Sequence, residues 1–434
     1  MRALEMSVMG TMLQRSSRQY VMAGWLGLAC LLMGTCNAYA KDIYVNNQAG
    51  NDQNSGVVQS PVYSIRKALS LASAGDAIHL LPERAVYREM VTLRNISVIT
   101  FEGNNCTVSA ADKLPSDPGQ WEKVGEGLHR IKLKRNMSDR CILVVNGRAE
   151  MMGRTKYMIN RISTIERQKG FAEAKKAVLA DFPKLQDLKA GQFVWELLED
   201  RMGWLYVKGP LDNLEWSVRT QCIYTDGKVG DITIRNLHAR FALNDGFNVH
   251  GYTYNFKMFN VSAQGCFDNG ISPHGACSFS VEDGEFLHNE MAVGNDFLTE
   301  TRMLRCNIGY STQEEVMFIG GKHLIEDSRI RATGPVAIRL TYNKPGPGRW
   351  MAQKEIQMSG KDPNARPEYV FKNCTVESAD GQKHSIVIAK SVNVAFEKCT
   401  FKDMEFQADS AASVKVVDCT LDAKPLTLEQ IEGK

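Results

Sequence analysis

Apolar and polar positions alternate along this chain in short runs, and the runs themselves return about every two dozen residues. Ile234-Arg235-Asn236-Leu237-His238 recurs as Met258-Phe259-Asn260-Val261-Ser262, Val281-Glu282-Asp283-Gly284-Glu285 and Met303-Leu304-Arg305-Cys306-Asn307. The series continues through Ile325-Glu326-Asp327-Ser328-Arg329, Phe371-Lys372-Asn373-Cys374-Thr375, Phe396-Glu397-Lys398-Cys399-Thr400 and Val416-Val417-Asp418-Cys419-Thr420. The fourth positions lie 20 to 25 residues apart, with a single gap of 46. Each run is β-branched or aromatic and broken by Gly, Asn or Asp, without helical periodicity, which predicts short strands joined by turns. One such unit cannot bury its own apolar face, whereas stacked units can. The pattern therefore predicts a parallel β-solenoid in which each strand pairs with the strand one coil away. The long gap predicts one coil plus a loop over 343–367, a stretch rich in Pro, Gly and charge.

Two segments depart from this pattern. Ile162, Ile165, Phe171, Ala174, Val178 and Leu179 recur at helical spacing, and Phe193 to Leu197 and Trp204 to Val207 flank a turn signal. These predict an inserted α+β module over 146–220, between N-terminal coils at 41–145 and the main coils at 221–434. At the start, Arg2, Arg15 and Arg18 precede a 13-residue apolar run, Val21 to Met33, and then Ala38-Tyr39-Ala40. That order predicts a secretory signal peptide over 1–40, cleaved after Ala40, and a secreted or periplasmic protein. The run is well short of the roughly 20 residues a spanning helix needs, so no integral membrane segment is expected in the mature chain.

Composition narrows the classes further. Of 434 residues 44% are hydrophobic and 23% charged, which excludes a disordered chain and a small disulfide scaffold. A net charge of +3 from 52 basic and 49 acidic residues gives no reason to expect nucleic acid as a partner. The chain is expected to act as a monomer. Cys306, Cys374, Cys399 and Cys419 share one repeat position and read as buried structural thiols, because stacked strands about 4.8 Å apart leave no room for tetrahedral metal ligation.

The segment Ile43-Tyr44-Val45, Gly50-Asn51-Asp52, Asn54-Ser55-Gly56, Ser60-Pro61, Ser64-Ile65-Arg66-Lys67-Ala68-Leu69 and Gly75-Asp76-Ala77-Ile78-His79-Leu80 resembles the opening of right-handed parallel β-helix proteins of the pectate-lyase-like superfamily. The resemblance implies an all-β, right-handed parallel β-helix whose N-terminal end is capped by a short helix, here about Ser64 to Ala72. It also implies a carbohydrate-active protein with a polysaccharide or oligosaccharide as partner. The superfamily holds glycoside hydrolases, polysaccharide lyases, esterases and non-catalytic proteins, so it leaves the reaction open.

Candidate chemistry clusters where successive coils read Asn244-Asp245-Gly246-Phe247-Asn248-Val249-His250 and Asp268-Asn269-Gly270-Ile271-Ser272-Pro273-His274. With Phe247, Ile271, Phe297, Phe318 and Ile338 taken as inward, alternation sends Asn248, His250, Ser272, His274, Asp296 and Arg339 outward. Asp245, Asp268 and Glu314 then stand where their strands begin. Asp245, Asp268, Asp296, His250 and His274 are the candidate catalytic groups, and Arg339, Asn248, Glu314 and Trp350 the candidate substrate-binding ones. The two Asx-Gly motifs are similar to those of polygalacturonases, but Asn269 replaces a second aspartate, and the Gly-His-Gly and Arg-Ile-Lys motifs are missing. Two carboxyl groups on neighbouring coils suit glycoside hydrolysis without a cofactor or a metal. A lyase would instead need His250 or His274 as base and an Arg, a Lys or Ca2+ to neutralise a uronate. A solenoid that only binds glycans is the third class.

Overall fold

The computed structural model describes residues 40–137, 140–150, 161–180, 182–342 and 353–432. The expected leader before Ala40, and Trp350 with its neighbours Lys344 and Arg349, lie outside the described residues. Among those described, no helix is long and apolar enough to cross a membrane.

The fold is a parallel β-helix. One sheet of nine strands climbs it in strict chain order, from Val91–Arg94 through Ile223–Asp226, Phe247–Val249, Asn269–Pro273, Met291–Asp296, Glu314–Ile319, Val336–Thr341 and His384–Ile388 to Met404–Ala408. Every neighbouring pair in it is parallel. The other long strands form a second parallel ladder in the register the repeats imply, with Leu237 opposite Val261 and Thr375 opposite Thr400. Residues at the third repeat position all turn the chain in the left-handed region: Asn236, Asn260, Asp283, Arg305, Asp327, Asn373, Lys398 and Asp418 have φ between 49° and 57°. Asn and Asp tolerate that conformation best, which is why the repeats favour them there. Asn260 Nδ2 also donates to Asn236 Oδ1 at 2.7 Å, tying one corner to the next.

The core is a set of apolar columns. Val91, Ile223, Phe247, Ile271, Val293, Val316, Ile338, Ile386 and Phe406 stand in register along the nine-stranded sheet, and all are buried. Truncating Phe247 to Ala would cost roughly 3–5 kcal/mol in such a site. Val293 and Val316 occupy this column; Phe318 faces inward as expected, two residues later beside Leu340, whereas Phe297, also taken as inward, lies in a turn at φ 64° outside the core columns. Unequal coil lengths shift the apparent repeat, so apolar identity alone picks the wrong partner.

A helix at Ile65–Leu71, N-capped by Ser64, covers the first coil. The parallel stack is interrupted from Ala111 to Ser217, beginning ahead of Asn146. Glu122–Gly125 and Leu128–Lys134 join Met202–Lys208 and Phe193–Leu197 in an antiparallel sheet with its own core around Trp195 and Trp216. The helical spacing resolves into two helices, Arg161–Lys169 and Phe171–Leu179, separated at Gly170 with φ 88°. Ile142 and Val144 pack with Phe241, Leu243 and Phe267, and this contact brings the satellite's chain against the solenoid beside the candidate site.

Candidate active site

Outward residues of the nine-stranded sheet form columns of their own. Tyr224, Asn248 and Ser272 stand in register, and Gly294, Met317 and Arg339 continue the line. Two residues further along each strand come His250, His274 and Asp296. The His250 and His274 rings lie 4.7 Å apart, Tyr224 stands 5.7 Å from His250, and Asp296 Oδ2 is 3.9 Å from His274 Nδ1. Ser272 Oγ and His274 Nε2 are 2.8 Å apart. Burial lowers His250 to about 4, and burial plus the neighbouring His250 lowers His274 to about 3, so both rings are neutral near pH 7.

At the start of the strands the carboxyl groups meet. Asp245 is 1% exposed and Asp268 4%, an expensive placement unless each charge is answered. Asn269 supplies much of the answer: its backbone N–H and Nδ2 donate to Asp245 Oδ1 at 3.1 and 3.0 Å, and the same Nδ2 reaches Asp268 Oδ1 at 3.1 Å. Asn244 and Asn248 donate to Asp245 Oδ2. Arg140, delivered by the satellite segment and itself buried, places Nη2 3.2 Å from Asp268 Oδ2 and bonds through Nη1 to the Leu243 carbonyl and the Asn244 amide oxygen.

These contacts push the two acids apart in character. Burial and the charge of Asp268 raise Asp245 well above the usual carboxylate range, against the pull of Asn269 and Arg140. A proton on Asp245 has an acceptor at hand: Asn248 Oδ1 is buried with no hydrogen-bond partner among the described residues, and half a turn of that amide presents it. Asp268 faces the Arg140 guanidinium, a neighbour that favours the charged form of a carboxyl group. Gly294 completes the arrangement, since a Cβ there would collide with the Asn269 amide oxygen.

A cavity of about 420 Å3 opens onto this array, with Met137, Tyr224, Met291 and Met317 as its apolar wall. The structure gathers Asp245, Asn248, His250, Asp268, His274 and Asp296 around it. Arg339 and Glu314 lie outside the lining, joined in an ion pair at 2.6 Å. The described end of the long loop docks nearby, where Ile356 packs on Ala276 and Leu298, and Lys361 Nζ donates to the Cys277 carbonyl at 3.1 Å. Among the described residues no group of three or more His, Cys, Asp or Glu is placed to hold a metal ion. The carboxylate pair does not suit Ca2+ either, because amide N–H groups and a guanidinium occupy the directions a cation would need.

Arg140 and Tyr224 were not among the candidates drawn from the sequence. Arg140 carries no local signal, since it lies in the segment that breaks the repeat and meets the site only through the fold. Tyr224 follows from the same alternation once its coil is aligned with Asn248.

No family model and no curated protein matches this chain. Among solved structures it is similar to the complex of XylC with xylose, at 12% identity over 87% of this chain and 86% of that one, with a TM-score of 0.43. It is also similar to pectate lyase Pel9A, at 9% identity over 90% and 79%, TM-score 0.41. A third, described as a glycoside hydrolase, matches at 10% identity over 91% and 100%, TM-score 0.40. These are likenesses of chain path; the parallel ladders themselves define the β-helix.

Proposed function

We propose that the protein is an exported carbohydrate-active enzyme that hydrolyses glycosidic bonds, with Asp245 as the proton-bearing acid and Asp268 as the ionised partner. The observation that carries this reading is Asn269 Nδ2, bonded to both carboxyl groups while Arg140 pairs with only one of them. Glycoside hydrolysis needs one carboxyl group to protonate the leaving oxygen and a second, ionised, to attack carbon or activate water. Sharing one nitrogen keeps the carboxyl oxygens within about 6 Å, short of the roughly 6.5–9.5 Å typical of inverting pairs, and so favours retention through a covalent intermediate on Asp268. Export rests on the basic, apolar and Ala-x-Ala order of residues 1–40.

The lyase reading is weaker. It needs His250 or His274 as base, and burial has made both poor proton acceptors. A solenoid that only binds glycans has no use for two buried acids held in different protonation states. The test is a product assay on a polysaccharide panel. New reducing ends without the absorbance of an unsaturated uronate support hydrolysis, and that absorbance would establish a lyase instead.

A further inference from the structure

The described end of the long loop runs along the strand ends beside the cavity. Its helix, Gln353–Ser359, lies against Tyr252–Tyr254, and Ile356 packs on Ala276 and Leu298. Tyr252, Ala276 and Leu298 each stand two residues after a member of the His250, His274 and Asp296 column, on three successive coils. The helix therefore follows the corners into which the three site strands run. Burial and Asp226 raise the Tyr224 hydroxyl, and the charge of Glu355 adds to the rise, so this helix is within electrostatic reach of the cavity wall.

One side chain pins it there. Two residues past the helix, Lys361 places its amine against the same corners. Its Nζ donates to the Cys277 carbonyl at 3.1 Å, to Ser278 Oγ at 2.9 Å and to the Leu298 carbonyl at 2.9 Å, and Glu300 Oε2 is 3.5 Å away. An ammonium has three protons, so these acceptors, drawn from two neighbouring coils, use all of them. The side chain is only 14% exposed, and burial lowers its amine against the pull of Glu300. A cation placed so deeply is costly to separate from its partners.

We propose that Lys361 is a positioning residue that pins Gln353–Ser359 as a fixed side of the sugar cavity, so that substrate meets a wall already in place. The inference rests on the hydrolase reading and concerns how that site holds its glycan. A wall set in advance spares the complex the cost of ordering it on binding. The partners of Lys361 lie on the corners rather than on the carboxyl pair, so its loss weakens binding and spares the chemical step.

The experiment compares the full-length protein with Lys361→Met and Lys361→Arg on xylan, mannan, glucan and polygalacturonate, following reducing ends. Lys361→Met should raise KM about tenfold, the worth of one hydrogen bond to a charged group, with kcat held within about twofold. Lys361→Arg, which keeps the cation, should lie between the two. An unchanged KM overturns the inference even if the melting temperature falls, since Lys361 then serves stability alone. So does a fall in kcat as large as the fall in kcat/KM. Should Lys361→Met fail to fold, Ile356→Ala loosens the same helix from its apolar side and must raise KM in the same way. If the wild type cleaves none of the four polymers, the hydrolase reading fails by itself, and affinity electrophoresis through gels that contain them decides. Retardation of the wild type but not of Lys361→Met upholds the inference, and equal retardation of both, or of neither, overturns it.

Discussion

Arg140 and Asp268 form a buried ion pair at 3.2 Å between two parts of the chain that fold by different rules. One residue comes from the irregular satellite segment and the other from the repeat. The pair is too well hidden to be cheap: each ion loses its hydration, and an exchange for apolar groups would often be neutral or stabilising. Its presence beside a second buried acid is better explained by what it does to the acids.

Asp245→Asn and Asp268→Asn should each lower kcat by about two to four orders of magnitude; Asp268→Asn should also lower the melting temperature, because it leaves the buried Arg140 charge without its carboxylate. An amide keeps the shape of the site and removes its proton chemistry. Wild-type turnover in both variants would move the chemistry elsewhere.

Arg140→Met should lower kcat and move the alkaline limb of the pH–rate profile upward. The guanidinium opposes the rise in Asp245, so without it Asp245 keeps its proton to higher pH. A fall in kcat with an unmoved profile would mean that Arg140 serves structure alone.

Stability should fall on acidification. His250, His274 and His323 are lowered to about 4, 3 and 3, each chiefly by burial, against an ordinary value near 6.5. Between roughly pH 6.5 and 3 the unfolded chain therefore binds more protons than the folded one, and stability rises with pH across that window and levels off above it. Asp245, Glu89 and Glu315 contribute with the opposite sign, since burial raises each acid and so favours the folded state at low pH, but His238 and His288, also lowered chiefly by burial, bring the histidines to five. Melting temperatures from pH 4 to 8 test the balance; a higher value at pH 4 than at pH 7 would contradict it.

Cys399→Ser should lower the melting temperature and leave kcat of the folded protein unchanged. Cys399 is buried and free and stands between Cys374 and Cys419; contact with Cys374 and burial push its thiol up to about 12, against the pull of Cys419. A thiol so reluctant to ionise is packing material. Selective loss of activity in folded Cys399→Ser would show otherwise.

The sequence carried the solenoid, because a repeat that places Asn or Asp before Leu, Val or Cys records both the left-handed corner and the buried column after it. It also carried the histidine pair and the two aspartates, which recur one coil apart. What it could not carry was contact between non-repeating parts. Arg140 sits in a segment with no period, and the tie between Arg339 and Glu314 depends on side-chain reach that alternation does not specify. Phe297 was misplaced for a related reason: coil length varies, and the ladder partner is chosen by backbone pairing rather than by residue type.

Asn269 follows Asp245 by 24 residues and stands directly beside it. The spacing of the two acids is therefore set by the pairing of one circuit of the chain against the next. Because side chains along a strand alternate faces, the register of Asn269–Pro273 on Phe247–Val249 cannot slip by one without sending Asp268 and Asn269 to the wrong sides. A single-residue insertion inside one of these strands would disarm the site, whereas one in an exposed corner, where coil length already varies, or a whole circuit added elsewhere would leave its chemistry in place.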